Sequence, residues 1–270
     1  GKQIESVIKS APVDLPKKSI LEAPQIFQAV GKRRLRVALL AGCAQQVLRP
    51  SINEATVRLL NRLGCEVVVA NGGGCCGALV HHMGRDSEAR EFARANIRAW
   101  TKEIEGCGLD AIVINASGCG TEVKDYGYLF KNDDTWCTMA NRISSLTRDI
   151  TEILAELELP ATVIHQPCTI AYHDACSLVH GQKIKEEPRL VLKRAGFEVM
   201  EIPGKHFCCG SAGVYNLLQN EIGELLKARR FKAIKQITPK IVATGNIGCL
   251  QQLQNGLNKP VVHTVELLDW

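Results

Sequence analysis

Eight of the twelve cysteines in this 270-residue chain fall into two sets that share one spacing. Cys43 precedes the adjacent pair Cys75 and Cys76, which Gly77 follows, and Cys119 closes the set. Cys176, the pair Cys208 and Cys209 followed by Gly210, and Cys249 repeat the arrangement. The first interval is 32 residues in both sets, and the second is 43 residues in one and 40 in the other. Four thiols per set is the number that holds one iron–sulfur cluster or one tetrahedral zinc. Soft thiolates select those metals over magnesium or calcium. The pattern therefore reads as a metal-binding unit made twice by duplication.

Neighbouring residues of an extended strand point to opposite faces. Both thiols of Cys75 and Cys76 reach one centre only if the backbone turns sharply, and the following Gly77 tolerates the positive φ such a turn requires. The same holds for Cys208, Cys209 and Gly210. Adjacent cysteines within alternating strand and helix patterns suit a reducing compartment and metal ligation rather than a disulfide framework.

The remaining four cysteines read differently. Cys65 fills the slot that Phe197 takes in the second repeat, which makes it a small apolar residue of the core. Cys107 and Cys137 have no counterpart, and Cys168, eight residues before Cys176, reads as structural. His81, His82, His173 and His206 stand near the cysteine sets, each able to ligate a metal or to hydrogen-bond sulfur, and His263 is similarly ambiguous. Each of them also has an ordinary structural reading. Gly72 to Gly77 satisfies G-x-G-x-x-G after a strand, but the next strand ends at Asn115 without the acidic residue of a dinucleotide site. The second repeat keeps Cys-Cys-Gly and drops the glycines, so what was duplicated is the cysteine site.

The elements that must carry these residues alternate. Apolar runs at 36–40, 66–70 and 111–115 predict strands, each followed by a cysteine of the first set. Runs at 170–173, 198–202 and 241–244 do the same for the second. Helical periodicity covers 53–63 and 87–105, and Leu218, Ile222, Leu225 and Leu226 mark a helix after the second pair. The expected fold is α/β: two duplicated three-layer βαβ-type units with parallel strands, and cysteine sites at the carboxyl ends of the strands, where such sheets gather ligands. Domain limits are expected at 35–158 and 159–270. Residues 1–34, with three prolines and no sustained periodicity, read as a connector from an upstream domain.

Bulk properties exclude several classes. A net charge of +5 with no basic and aromatic stripe argues against nucleic acid, and the basic run from Lys32 to Arg36 reads as a solvated linker end. No apolar run of about 18 residues spans a membrane. No Ser-His-Asp arrangement, paired catalytic carboxylates or flavin signature stands out.

The double Cys-x31-Cys-Cys-Gly pattern resembles the cysteine-rich CCG domain family. The runs that carry it are Ala41-Gly-Cys-Ala-Gln45, Gly74-Cys-Cys-Gly-Ala78, Ala116-Ser-Gly-Cys-Gly120 and Val123-Lys-Asp-Tyr-Gly127. Leu129-Phe-Lys-Asn-Asp133, Cys208-Cys-Gly-Ser-Ala-Gly213 and Asn246-Ile-Gly-Cys249 continue it. Together they cover roughly residues 35–268. Within the family they look most like the carboxyl-terminal part of glycolate oxidase iron–sulfur subunits. The ferredoxin-type Cys-x2-Cys-x2-Cys-x3-Cys-Pro runs that begin those subunits are missing from this sequence. The fifth cysteine per site found in the related heterodisulfide reductase is also missing.

The resemblance implies an electron-transfer subunit of a glycolate (2-hydroxy-acid) oxidase complex, passing electrons from a separate FAD subunit towards a quinone-type acceptor. It implies iron–sulfur clusters of the [4Fe–4S] type on Cys43, Cys75, Cys76, Cys119, Cys176, Cys208, Cys209 and Cys249, with zinc in one repeat left open. The implied location is cytoplasmic, with peripheral association at the inner face of the cell membrane allowed. A stand-alone lactate-utilisation iron–sulfur protein and a structural zinc scaffold are the alternatives.

Overall fold

The computed structural model describes residues 15–157, 159, 168–204 and 207–269. Strands β1 (Gln25–Phe27), β2 (Leu35–Leu39), β3 (Cys65–Val69), β4 (Ala111–Ile114) and β5 (Thr147–Asp149) form one sheet in the order β1-β3-β2-β4-β5. Strands β6 (Thr169–His173), β7 (Glu198–Glu201), β8 (Ile241–Thr244) and β9 (Val261–His263) form a second sheet in the order β7-β6-β8-β9. With the edge strand β1 set aside, both orders are second-first-third-fourth and every pairing is parallel. The α/β class and the duplicated parallel units expected from the patterning are present.

Alternation along the first sheet shows why the unit needs helices on both sides. Val37, Leu39, Val67, Val69 and Val113 enter one core, whereas Ala38, Leu40, Ile112 and Ile114 enter another on the opposite face. The first of these cores is continuous with Ile170, Ala171, Tyr172, Val242 and Ala243 of the second sheet. The repeats thus share buried apolar surface, and polar contacts reinforce the seam. Ser117 Oγ meets Ser177 Oγ at 2.7 Å, and Glu266 accepts from Arg49 Nε at 3.0 Å and Ser51 Oγ at 2.8 Å.

Four features depart from the sequence reading. Each repeat has a fourth strand, β5 or β9, too short at three residues to show period-two patterning. Gln25–Phe27, inside the stretch read as a connector, pairs antiparallel with β3 and covers its outer edge. Arg36, read as solvated, is buried and donates to Glu66, to Glu103 and to the Gly108 carbonyl, each at 2.7 Å. The helix Asn220–Ile237 does not bury its apolar periodicity: Ile222 is 45% exposed and Leu225 72% exposed, as is Leu218 just before it at 55%. Its buried positions are Gly223, Arg230 and Ile234. Its counterpart Asp86–Gly106 buries Ala89, Ala93, Ile97 and Trp100 of its apolar pattern and leaves Phe92 38% exposed.

Among the described residues no helix is long and apolar enough to cross a membrane.

Candidate metal centres

In each repeat the three adjacent strands β3-β2-β4 or β7-β6-β8 end side by side, and each end passes into a cysteine loop. Cys43 follows β2, the pair Cys75 and Cys76 follows β3, and Cys119 lies in the helix Ser117–Lys124 after β4. Cys176, the pair Cys208 and Cys209, and Cys249 follow β6, β7 and β8. Parallel pairing brings residues far apart in sequence to one rim, at the point where strand order reverses. Within the first set the thiols form a chain of contacts, Cys43 to Cys75, Cys75 to Cys76 and Cys76 to Cys119. The second set repeats it, with Cys176 to Cys208, Cys208 to Cys209 and Cys209 to Cys249.

The two sets face each other. A cavity of about 480 Å³ is lined by all eight of these cysteines and by none of the other four. Its walls are largely aliphatic, with Leu40, Leu48, Leu79 and Ile114 on the first-repeat side and Leu217 and Ile247 on the second.

The turn that aims each cysteine pair depends on glycine. Gly77 has φ of 91°, and a Cβ there would sit 3.1 Å from the Ala89 carbonyl oxygen. Gly210 has φ of 92°, and a Cβ would sit 2.3 Å from the Gly223 carbonyl oxygen. In this geometry the backbone N–H of Gly77 donates to Cys75 Sγ at 3.4 Å, and that of Gly210 to Cys208 Sγ at 3.3 Å. Such donors stabilise negative charge on sulfur.

Different side chains support the two rims. In the first repeat Asn96 accepts from Gly74 N–H at 2.8 Å and donates to the Cys75 carbonyl at 2.8 Å. Tyr126 Oη donates to the Cys76 carbonyl at 2.8 Å. The Gly74 amide of the glycine-rich loop is therefore already engaged by Asn96. Beneath Cys43, Gln45 Nε2 donates to Asn53 at 2.9 Å and to Asn115 at 2.7 Å, and Asn53 Nδ2 donates to the Ala41 carbonyl at 2.8 Å. In the second repeat Arg189 grips both carboxylate oxygens of Asp174 at 2.8 and 2.7 Å, and reaches Glu201 at 2.9 Å. This pins the end of β6 beside Cys176.

The thiols of the two sets also differ in charge preference. In the first set Cys43 is pushed up by its hydrogen bond to Cys75 and by burial, and Cys76 is raised by its contact with Cys119. Cys75 rises as well, its bond from Cys43 being outweighed by Cys76 and burial. In the second set hydrogen bonds from Cys176 and Cys209 hold Cys208 far below the ordinary thiol value. Cys249 is likewise lowered, first by Cys209 and then by His173. Cys176 and Cys209, the donors in those pairs, rise. Cys208 and Cys249 are thus inclined to thiolate, the form that binds metal.

The histidines separate cleanly. His81 Nδ1 pairs with Glu122 at 2.8 Å, His82 lines the cavity, and His206 lies outside the described residues. His263 accepts from Val265 N–H through Nδ1 at 3.2 Å, so its Nε2–H donates to the Asn115 carbonyl at 2.8 Å. Burial lowers it to about 4, and it is a neutral structural tie between the repeats. Among the described histidines, His173 is the one grouped with the thiols: a ring nitrogen lies within 4.8 Å of Cys209 Sγ and Cys249 Sγ.

Of the other cysteines, Cys65 is fully buried in the core, where desolvation raises it to about 11. Cys107 is exposed, Cys137 accepts from Asn141 Nδ2 at 3.2 Å, and Cys168 precedes β6 at the end away from Cys176. Sequence reasoning missed Asn96, Arg230 and Asn246. Asn246 Oδ1 accepts from Gly118 N–H at 3.4 Å, beside Cys119, and its Nδ2 donates to Cys249 Sγ at 3.6 Å. Its signal was its place in the run Asn246-Ile-Gly-Cys249, three residues ahead of the closing cysteine.

Comparison with known proteins agrees with this arrangement. The family model described as "CCG: Cysteine-rich domain" matches residues 37–124 and again 170–254. The glycolate oxidase iron-sulfur subunit of Escherichia coli (strain K12) is 39% identical over 238 residues, covering 88% of this chain and 58% of that protein. The probable glycolate oxidase iron-sulfur subunit of Bacillus subtilis (strain 168) is 32% identical over 94% of this chain and 59% of its own length. Lactate utilization protein A of Bacillus velezensis is 27% identical over 87% of this chain and 99% of its own length. The chain thus spans a little under three fifths of the two glycolate oxidase relatives.

Proposed function

Because the chain belongs to the cysteine-rich CCG domain family, we propose that it is the electron-transfer part of a glycolate (2-hydroxy-acid) oxidase complex. The observation that carries this reading is the cavity walled by both cysteine sets and by no other cysteine. Soft donors and converging thiols fit one-electron carriers better than a substrate-transforming pocket. Cys43, Cys75, Cys76 and Cys119 would hold one iron–sulfur cluster, and Cys176, Cys208, Cys209 and Cys249 another, of the [4Fe–4S] type. Such clusters supply one-electron redox capacity whose potential is tuned by burial and hydrogen bonds to sulfur.

The chain's own groups set those terms. Gly77 and Gly210 N–H direct positive dipoles at sulfur, aliphatic side chains line much of the cavity, and Asn246 spans the gap between the two sets. Hydride chemistry is left to an FAD subunit. The exposed Leu218, Ile222 and Leu225 offer that partner an apolar face. A quinone-type acceptor, cytoplasmic placement with peripheral contact at the membrane, and domain limits at 35–158 and 159–270 complete the proposal.

The test is anaerobic isolation with quantitation of iron, acid-labile sulfide and zinc, followed by mixing with the flavin subunit and glycolate. Glycolate should bleach the visible absorbance only when the flavin subunit is present. Bleaching by the chain alone would end this division of labour. A second reading, a lactate-utilisation electron carrier, is favoured by the match that spans 99% of lactate utilization protein A. It predicts bleaching through a lactate-oxidising partner instead. Zinc in both sets without sulfide would support a structural scaffold.

A further inference from the structure

His173 occupies the last position of β6, three residues before Cys176, where the first repeat has Leu40 three residues before Cys43. It is 1% exposed, and neither ring nitrogen meets hydrogen-bond geometry with any group among the described residues. One of those nitrogens, Cys209 Sγ and Cys249 Sγ all lie within 4.8 Å of one another. Burying an imidazole nitrogen without a well-aligned partner costs roughly 1–3 kcal/mol, and the groups this ring faces are the Cys209 and Cys249 sulfurs. Nothing in the first repeat corresponds, since Leu40 is an aliphatic wall of the cavity.

A second substitution acts in the same direction. The carbonyls of Ala89 and Gly223 approach Gly77 and Gly210 alike. Seven residues further along their helices stand Asn96 and Arg230, both buried. Asn96 bonds Gly74, just before Cys75, and Arg230 Nη2 bonds the Phe207 carbonyl, just before Cys208. At the same place the first rim has a neutral amide and the second a guanidinium within reach of Cys209, Cys249 and Cys208.

We propose that His173 is a nitrogen ligand of the second centre, beside Cys209 and Cys249, so that the chain carries one all-sulfur and one mixed nitrogen–sulfur site. The assignment rests on the metal-centre reading above. The imidazole takes one iron in place of the exposed Cys176 thiolate, refining the four-thiol set above. It brings less negative charge than a thiolate, and replacing cysteine by histidine on iron raises the reduction potential. With Arg230 alongside, the second centre is the higher-potential one, and electrons crossing the cavity run from the first repeat to the second.

The experiment uses the anaerobically purified chain, partially and fully reduced, with pulsed EPR and ¹⁵N-histidine labelling. One reduced signal should carry a directly bound nitrogen coupling that responds to the label. His173→Leu, which copies the first repeat, should abolish that coupling and move that signal's midpoint down, leaving the other signal unchanged. His173→Asn keeps a buried polar group, should the leucine variant not accumulate, and is expected to lose the same coupling. Normal iron and sulfide with no histidine coupling in the wild type, or coupling that survives both variants, overturns the assignment. A wild-type chain without iron and sulfide removes the metal-centre reading itself, and the assignment with it.

Discussion

The two repeats have the same strand order and the same cysteine frame, yet they surround their thiols with different groups. Around the first set lie Leu40, Asn96 and a tight amide network through Gln45, Asn53 and Asn115, and Cys43, Cys75 and Cys76 are pushed up. Around the second lie His173, Arg230 and Asn246, and Cys208 and Cys249 are driven toward thiolate while Cys176 and Cys209 rise. Duplication preserved what positions the sulfurs: parallel strand ends and a glycine after each pair. The surroundings that fix charge and potential diverged. The lesson is that a pair of centres sharing one cavity need not be equivalent, and a gradient between them is built from neighbours rather than from ligands alone.

Removing a thiol from either set should have the largest effect and should stay local. Cys76→Ser and Cys209→Ser are each expected to halve the iron content and lower donor-to-acceptor electron transfer by more than about 100-fold. Loss of both centres from either single variant would break the view of two separate sets. Metal analysis and steady-state reduction assays decide it.

The turn glycines come next, and they should not cost the same. Gly210→Ala places a Cβ at 2.3 Å from backbone, Gly77→Ala at 3.1 Å, and both force alanine into positive φ. Left-handed backbone costs roughly 1–2 kcal/mol, and a clash adds about 1–3 kcal/mol. Thermal melts should therefore show Gly210→Ala the more destabilised.

The seam between repeats titrates through His263. Burial keeps its pKa near 4 in the folded chain, below the unfolded value of about 6.5. The neutral ring therefore contributes fully above pH 6.5, and the contribution is lost as pH falls from there towards 4. The loss should approach about 3 kcal/mol. Denaturant melts across that window check this, and His263→Gln should flatten the dependence.

The smallest expected effect falls on the exposed face of the helix Asn220–Ile237. Leu225→Ser should change stability by no more than about 0.5 kcal/mol, while Leu225→Ser combined with Ile222→Ser weakens capture of the flavin subunit. Wild-type binding by that double variant would take this face out of the interface.

How much of this was legible in the sequence depended on whether a feature has a local period. The three cysteine-bearing strands of each repeat announce themselves as apolar runs, and Cys65 was readable as core because Phe197 fills its slot. Strands β5 and β9 were silent because three residues show no alternation. Arg36 looked solvated because its acceptors, Glu66 and Glu103, are 30 and 67 residues away. His173 stood among five candidate histidines, and only the pairing of β6 with β8 turns it towards Cys249. The sharing of one cavity had no sequence signal at all, since it arises from the way the two sheets pack.

The most direct measurement of the central claim is a redox titration of the anaerobically purified chain followed by EPR, calibrated against its iron and sulfide content. The account expects iron with stoichiometric sulfide and two components of separate midpoint, the higher abolished by Cys209→Ser and the lower by Cys76→Ser. Zinc in both sets without sulfide, or a higher component that belongs to the first repeat, would contradict it.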